Sequence, residues 1–393
     1  MMRNITAGID IGTYQVKVVI SEQVKENGKN ITKILGTGFT ESKGLRHGYI
    51  INSDDVTDSI KTAVKMAEKT SGMKIHRAYV AVGGIGLSGI TGTASTVVGR
   101  ADLSVTELDT EKLNELCEQG LPTNLIQNQK ILHSIPIWYK LDGKTIPAKN
   151  PIDLKGTKFE VKMLFITCLE PHLNDMLEAV DEAGIEIIDC LASPIAASFV
   201  TLSKVQKTAG CVLANIGAET ISIVVFENNI PISLEVFPIG STDITNDIAL
   251  GLKIPLEEAE NIKIGGLGSA NYSKKKIEEI VSARLSDMFE LIENHLKKIG
   301  RNGLLPAGIF ITGGGSGIVA IEDFAKNSLK LPSRIATLNP NGEKTTVKDS
   351  TWAVAYGLCM LGLSKEEKIN LGMKNRVGKS KEKILGWIKQ FLP

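Results

Sequence analysis

A-G-I-D-I-G-T-Y-Q-V-K-V-V-I, residues 7–20, is the stretch around which the rest of the chain is organised. Two β-favouring runs, 7–11 and 16–20, flank a tight turn over residues 12–15, the pattern of a hairpin. Such a turn offers backbone N–H groups and the Thr13 hydroxyl to whatever sits in its mouth, and those are phosphate ligands. The expected set is Gly12, Thr13 and Tyr14. Asp10, ending the first strand, is placed to meet a metal ion through its water shell. Lys17, two residues past the turn, is placed to return to the same mouth and offset phosphate charge. An ordinary hairpin with one surface aspartate carries the same letters, so the motif decides nothing alone.

Two pieces far downstream decide it. Residues 211–232, C-V-L-A-N-I-G-A-E-T-I-S-I-V-V-F-E-N-N-I-P-I, repeat the design: apolar strand, small polar turn, apolar strand, then a turn at Asn228 and Asn229. Residues 308–317, G-I-F-I-T-G-G-G-S-G, run an apolar strand into a glycine cluster that precedes a helix. Glycines let backbone approach a ligand closely, and a helix N-terminus favours negative groups. Two phosphate hairpins about two hundred residues apart, followed by a Gly-rich turn, resemble the actin and sugar-kinase ATPase superfamily. That resemblance implies ATP with Mg2+ held by Asp10, Gly12, Thr13, Tyr14 and Lys17 on one side. On the other it implies Asn215, Gly217, Gly313, Gly314, Gly315 and Ser316. The chain departs from the superfamily twice. Asn215 stands where the second hairpin usually has an aspartate, and an amide is a poorer partner for hydrated magnesium. Ser193 stands where a Glu or Gln usually orients the attacking water. Nucleotide binding is expected, with at most a weak ATPase activity and no catalytic residue assigned; Glu219, in the second turn, either restores a charge or repels phosphates.

At 393 residues the chain exceeds what one core supports. No run of eighteen apolar residues occurs, and Arg3 is the only positive charge before the first strand, so neither a membrane span nor a signal peptide is expected. The five cysteines and five histidines are scattered without metal-ligand spacing, which reads as buried thiols in a reducing compartment. Net charge is +1, but residues 365–393 carry +5, leaving −4 on the remainder. A basic tail on an acidic body points to a negatively charged surface as the tail's partner; no nucleic-acid partner is expected.

In order, the sequence predicts a strand at 31–38, a turn at 44–48, a helix at 53–71 opened by N-S-D-D, and a strand at 75–82. A helix at 106–116 follows, then a strand at 130–140 that Pro136 marks as an edge or bulged one. The patterns continue with helices at 171–183 and 193–203, a helix over Glu257–Lys263, a long helix at 277–299, and a closing helix at 351–361. G-L-R-H-G-Y-I-I-N (44–52), A-Y-V-A-V-G-G (78–84), L-H-S-I-P-I-W-Y (132–139) and I-T-N-D-I-A-L-G-L (244–252) resemble the bacterial cell-division family FtsA. The resemblance covers essentially the whole chain. It implies an α/β, actin-like two-lobed ATPase fold with ribonuclease-H-like lobes, an inserted α+β subdomain and a C-terminal amphipathic helix. The expected division is a first lobe at 1–84 and 165–203, an insertion at 85–164, and a second lobe at 204–245 and 307–363. Subdomain 2B takes 246–306, a flexible linker 364–380 and a membrane-targeting helix 381–393. Glu260 and Lys263, three apart on one helix face, would meet ribose and adenine by the same resemblance; an exposed ion pair is the plainer reading.

Residues 381–393, K-E-K-I-L-G-W-I-K-Q-F-L-P, put Ile384, Leu385, Ile388, Phe391 and Leu392 on one helical face, with Trp387 at its border and lysines opposite. Too short to span, the segment has the make-up of an interfacial helix on anionic lipid. The family resemblance implies a polymer of the chain itself on the cytoplasmic face of the plasma membrane at the division site. There it would tether the C-terminal tail of the tubulin-like GTPase FtsZ and recruit later division membrane proteins. The basic stretch Lys274–Lys276 with Arg284 reads as a landing site for an acidic tail or as a solvated charge run. The rivals are the actin-like assembly protein of type IV pili and a sugar-kinase-type phosphotransferase.

Overall fold

In the computed structural model, which describes residues 4–26, 29–146, 150–265, 272–338 and 349–370, the first two runs form β1 (Asn4–Ile11) and β2 (Gln15–Glu26). They pair antiparallel with Asp10 opposite Lys17. β3 (Lys29–Glu41) completes the meander and is longer than the 31–38 expected, because pairing with β2 continues from Lys29 to Glu41. β4 (Leu45–Arg46) and β5 (Tyr49–Ile50) make a two-residue hairpin whose turn holds His47 at φ 49° and Gly48 at φ 86°. α1 (Ser53–Ser71) has the bounds its ends demand: Asn52 Oδ1 accepts from the Asp55 amide at 3.3 Å, and Gly72 ends the helix at φ 71°. Its buried stripe of Val56, Ile60, Ala63 and Ala67 lies on β3. Gly38 makes that approach possible, since a Cβ there would stand 2.1 Å from the Ala63 carbonyl oxygen. β6 (Arg77–Val82) returns parallel to β1.

The chain then leaves the first sheet. β7 (Leu87–Val97), α2 (Glu107–Gln119), α3 (Thr123–Ile126), β8 (Gln129–Leu141), β9 (Lys144–Thr145) and β10 (Lys158–Leu169) build a separate antiparallel sheet in the order β7-β10-β8-β9. Its own core includes Leu113, Cys117, Tyr139, Phe159 and Phe165, with the Tyr139 and Phe159 rings stacked at 5.6 Å. β8 is bulged beside Pro136, where only β10 pairs with it; β9 pairs with its last two residues, Lys140 and Leu141.

α4 (Glu170–Glu182), β11 (Glu186–Ala192), α5 (Ser193–Thr201) and α6 (Lys204–Ala209) bring the chain back and across. β12 (Cys211–Ile216), β13 (Ile221–Glu227) and β14 (Ile230–Phe237) form a second meander, turned by Asn228 and Asn229 at φ 50° and 62°, a type I′ hairpin. α7 (Ser241–Leu252), α8 (Leu256–Lys263) and α9 (Lys274–Lys298) cover it before β15 (Gly308–Thr312), α10 (Ile321–Leu329), β16 (Ser333–Ile335) and α11 (Ala353–Asn370) close the chain. The two five-stranded sheets have one topology, β3-β2-β1-β6-β11 and β14-β13-β12-β15-β16: an antiparallel meander followed by two parallel strands. This duplication gives the two ribonuclease-H-like lobes of an actin-like fold. One apolar cluster runs through both, from Ile9 and Val18 to Leu213, Phe226 and Tyr356. A second cluster lies under α7–α10.

The glycine cluster precedes a helix as expected, with a short 3-10 turn, Gly314–Gly317, between β15 and α10. Two expectations need correcting. α11, read as closing the second lobe, packs on β1 and α5. It also runs on to Asn370, so residues 364–370, placed in a flexible linker, are helical. Lys and Glu there are good helix formers continuing an established helix. The rest of the linker and the amphipathic segment 381–393 lie outside the described residues.

Candidate functional site

The hairpin turns at 12–15 and 217–220 face each other across a cleft of about 290 Å³. It is lined by Asp10, Gly12, Thr13, Tyr14 and Lys17 from the first lobe and by Asn215, Gly217, Gly313, Gly314, Glu260 and Lys263 from the second. Gly315 and Ser316 do not line it. Gly315 sits against Ile216, where a Cβ would come within 2.4 Å of Cγ2, and the Ser316 hydroxyl turns inward to donate to the Gly313 carbonyl at 2.7 Å. Their task is to hold the turn so that Gly313, at φ 85°, and Gly314 face the opening. A Cβ on Gly314 would meet nothing within 4 Å, so space for a ligand lies directly over it.

The turns keep part of their hydrogen-bonding capacity for themselves. Gly12 N–H donates to Gln15 O at 3.2 Å and Gly217 N–H to Thr220 O at 2.8 Å. The amides of Thr13 and Tyr14 are those the first turn does not use, and the Tyr14 ring, 65% exposed, stands at the mouth. Asp10 lies deep between the strands. Burial lifts its carboxyl to about 6, against the opposing pull of Lys17. Lys17 lines the cleft from one wall. Its Nζ donates to the Thr351 carbonyl at 3.0 Å and lies 5.6 Å from the centre of the Trp352 ring, so the ammonium is docked on the segment leading into α11. Burial lowers its pKa, with Asp10 and Asp349 acting in the other direction.

On the second lobe, Asn215 sits between Ser222 of β13 and Thr312 of β15. Glu260 and Lys263 pair at 2.7 Å; the glutamate is exposed, but the lysine is not. Lys263 has only 6% of its side chain exposed, and it also donates to Ser241 O and Thr245 Oγ1, while Thr245 donates to Glu260. The network locks α8 onto the start of α7. Glu219 leaves the cleft: its carboxylate accepts from the His47 amide. Among the described residues lining the cleft, the carboxylates are therefore Asp10 and the engaged Glu260. Away from the cleft, Lys274 and Lys275 pair with Glu278 and Glu279, and Arg284 grips Asp247 through two bonds of 2.6 and 2.9 Å. Sequence reasoning missed Gly48, Gly83, Gly84, Ser241, Thr242 and Ser350 as lining residues. For all but Ser350 the available signal was their place in or beside the G-L-R-H-G, V-G-G and I-T-N-D stretches.

The arrangement suits an elongated anionic ligand: unspent amides and small residues on facing turns, with one carboxylate at the floor. A magnesium ion commonly takes one or two carboxylates together with phosphate oxygens and water. Asp10 fits that use, being a carboxyl whose charge is disfavoured until a cation arrives.

Two family descriptions match: "Cell division protein FtsA" over residues 212–357 and "SHS2 domain inserted in FTSA" over residues 89–167, between them more than half of the chain. The chain belongs to the FtsA family. The matched insertion spans nearly all of the separate β7–β10 sheet. Similar relatives include the cell division protein FtsA of Borreliella burgdorferi, 29% identical over 98% of this chain and 98% of that one. FtsA of Bacillus subtilis is 29% identical over 89% and 81%, and FtsA of Escherichia coli K12 23% identical over 99% and 98%. Among solved structures, a type IV pilus PilM-PilN complex superposes with TM-score 0.67 at 16% identity, covering 91% of this chain and 98% of that one. MreB5 of Spiroplasma citri bound to ADP gives 0.53 at 14% identity, covering 94% and 99%. At such identities these two likenesses bear on the fold alone. Membership in the FtsA family sets aside the pilus and kinase rivals.

Proposed function

We propose that the chain is an actin-like, ATP-binding cell-division protein. It polymerises on the inner face of the plasma membrane, tethers FtsZ there through that protein's C-terminal tail, and recruits later division membrane proteins. The observation that carries the nucleotide half is the convergence of two hairpin turns and the Gly313–Gly314 turn on one cleft floored by Asp10. Gly12, Thr13, Tyr14, Gly217, Gly313 and Gly314 would cradle the phosphates, Asp10 would hold Mg2+ through water, and the Glu260–Lys263 pair would border the nucleoside. Bound magnesium would offset phosphate charge. Turnover is slow, because Asn215 and Ser193 line the cleft where the superfamily holds a metal-orienting acid and a water-orienting residue. Groups of that kind contribute roughly 10²–10⁴-fold. ATP serves instead as the ligand that holds the lobes for assembly.

The test is isothermal titration of Mg-ATP into wild type, Asp10→Ala and Gly314→Val. The valine projects into open space, so it blocks the ligand without disturbing packing. Both variants are expected to lose binding, with wild-type phosphate release far below that of a sugar kinase. Unchanged affinity in both variants would sink the site, and brisk phosphate release the reading of slow turnover.

A further inference from the structure

Across the cleft, at its rim, one lobe holds the other by a polar contact. The Glu219 carboxylate, from the second phosphate turn, accepts the His47 backbone N–H of the β4–β5 turn. His47 Nδ1 lies 3.2 Å from the Glu219 carbonyl oxygen; a carbonyl only accepts, so this nitrogen carries the hydrogen. Both residues are half-buried and neither lines the cleft, yet their neighbours Gly48, Ala218 and Thr220 do. The turn is fixed from behind as well. Ile85 N–H donates to His47 O at 3.2 Å, and Gly48 packs so closely on Gly84 that a Cβ would stand 2.3 Å from its Cα. Gly83, next along and also lining the cleft, is held through its carbonyl by the buried His172 Nε2 at 3.1 Å.

We propose that Glu219 is a positioning residue: with the 44–48 turn it forms a latch that holds the two lobes closed over the cleft and sets how fast a bound nucleotide leaves. The proposal rests on the nucleotide reading of the cleft. Its physical basis is the contrast between two kinds of contact joining the lobes. Where α5 lies on β12 and β13, the contact is part of one apolar cluster that runs from Ile9 and Val18 to Leu213 and Phe226, and it cannot part without exposing that core. At the rim, a few hydrogen bonds between half-buried groups can break at little cost in exposed apolar surface. A fixed contact and a breakable rim together make a hinge. Glu219 thus neither restores charge at the metal nor repels phosphate; it acts on the second turn through His47.

The test uses the full chain, with stopped-flow displacement of a fluorescent ATP analogue from wild type, Glu219→Ala and Glu219→Gln. Hydrogen exchange of the ligand-free proteins is followed in parallel over residues 44–50 and over α1. Losing a hydrogen bond to a charged acceptor should speed release about tenfold in the alanine variant, with little change in association. Glutamine keeps an acceptor for the His47 amide and should restore part of the effect. Without ligand, residues 44–50 should exchange faster in Glu219→Ala while α1 is unchanged. Wild-type release from the alanine variant overturns the latch, and so does unchanged exchange at 44–50. Failure of wild type to bind the analogue, with the exchange difference intact, overturns the nucleotide reading and leaves the rim contact standing.

Discussion

At the scale of single residues, Asp10 shows a site kept at the expense of stability. Its carboxyl sits at about 6, lifted from 3.8 by burial. An acid whose folded pKa is raised costs nothing while protonated in both states, and destabilises progressively as pH rises from about 4 to about 6. At roughly 1.4 kcal/mol per unit, the ligand-free protein should gain on the order of 2–3 kcal/mol at pH 7.5 from Asp10→Asn, and nothing at pH 4. Thermal unfolding of the two proteins at both pH values reads this directly; equal melting temperatures at pH 7.5 would show that the carboxylate is solvated. Residue roles were the least legible part of the sequence. Asp10, Gly12, Gly217, Gly313 and Gly314 could be placed at the cleft because the turns that hold them are local. The contacts of Lys17 and Glu219 could not be foreseen, since their destinations, the Thr351 carbonyl and the His47 amide, lie 334 and 172 residues away. Ser316 looks like a ligand on paper, but a 3-10 turn rotates its hydroxyl inward.

At the scale of elements, close approach decides which glycines matter. Gly357 of α11 lies against α5, and a Cβ would stand 1.9 Å from the Ala196 carbonyl oxygen. That neighbour is backbone and cannot rotate away, so Gly357→Ala should cost roughly 2–3 kcal/mol as overpacking. Gly99→Ala, where a Cβ meets nothing within 4 Å, should stay within about 0.5 kcal/mol of wild type. Urea unfolding compares them, and equal midpoints would refute the tight crossing. Elements were legible where the chain punctuates itself. α1 begins and ends where Asn52 and Gly72 predict, and the Asn228–Asn229 turn is plain in the letters. The length of α11 was not, because glycines and lysines after residue 363 read as linker while the apolar helix before them carried the backbone on to Asn370. Likewise β9, two residues long, is too short to leave a pattern.

At the scale of the whole molecule, the acidic body and the basic end are separated along the chain. Residues 381–393 lie outside the described structure, and no described helix is long and apolar enough to cross a membrane. Partial burial of Ile384, Leu385, Ile388, Phe391 and Leu392 would give one copy moderate lipid affinity, with each nearby lysine adding about 1 kcal/mol on anionic lipid. A polymer presenting many tails would stay on through avidity. Vesicle flotation should lift wild type, and leave behind both Trp387→Glu and a chain cut after Ser380 that still binds ATP; a truncated protein that floats as well as wild type would remove the tail as anchor. The crossing of α11 onto β1 has another consequence, in the order of synthesis. β1 is covered by a helix that is made only after the second lobe: Cys359 Sγ of α11 reaches the carbonyl oxygens of Thr6 and Val19. While the ribosome works through the second lobe, the apolar face of β1 around Gly8 has no cover of its own. The first lobe therefore waits for α11, and a product ending before residue 353 would leave that face bare to other chains, a ready target for chaperones and proteases.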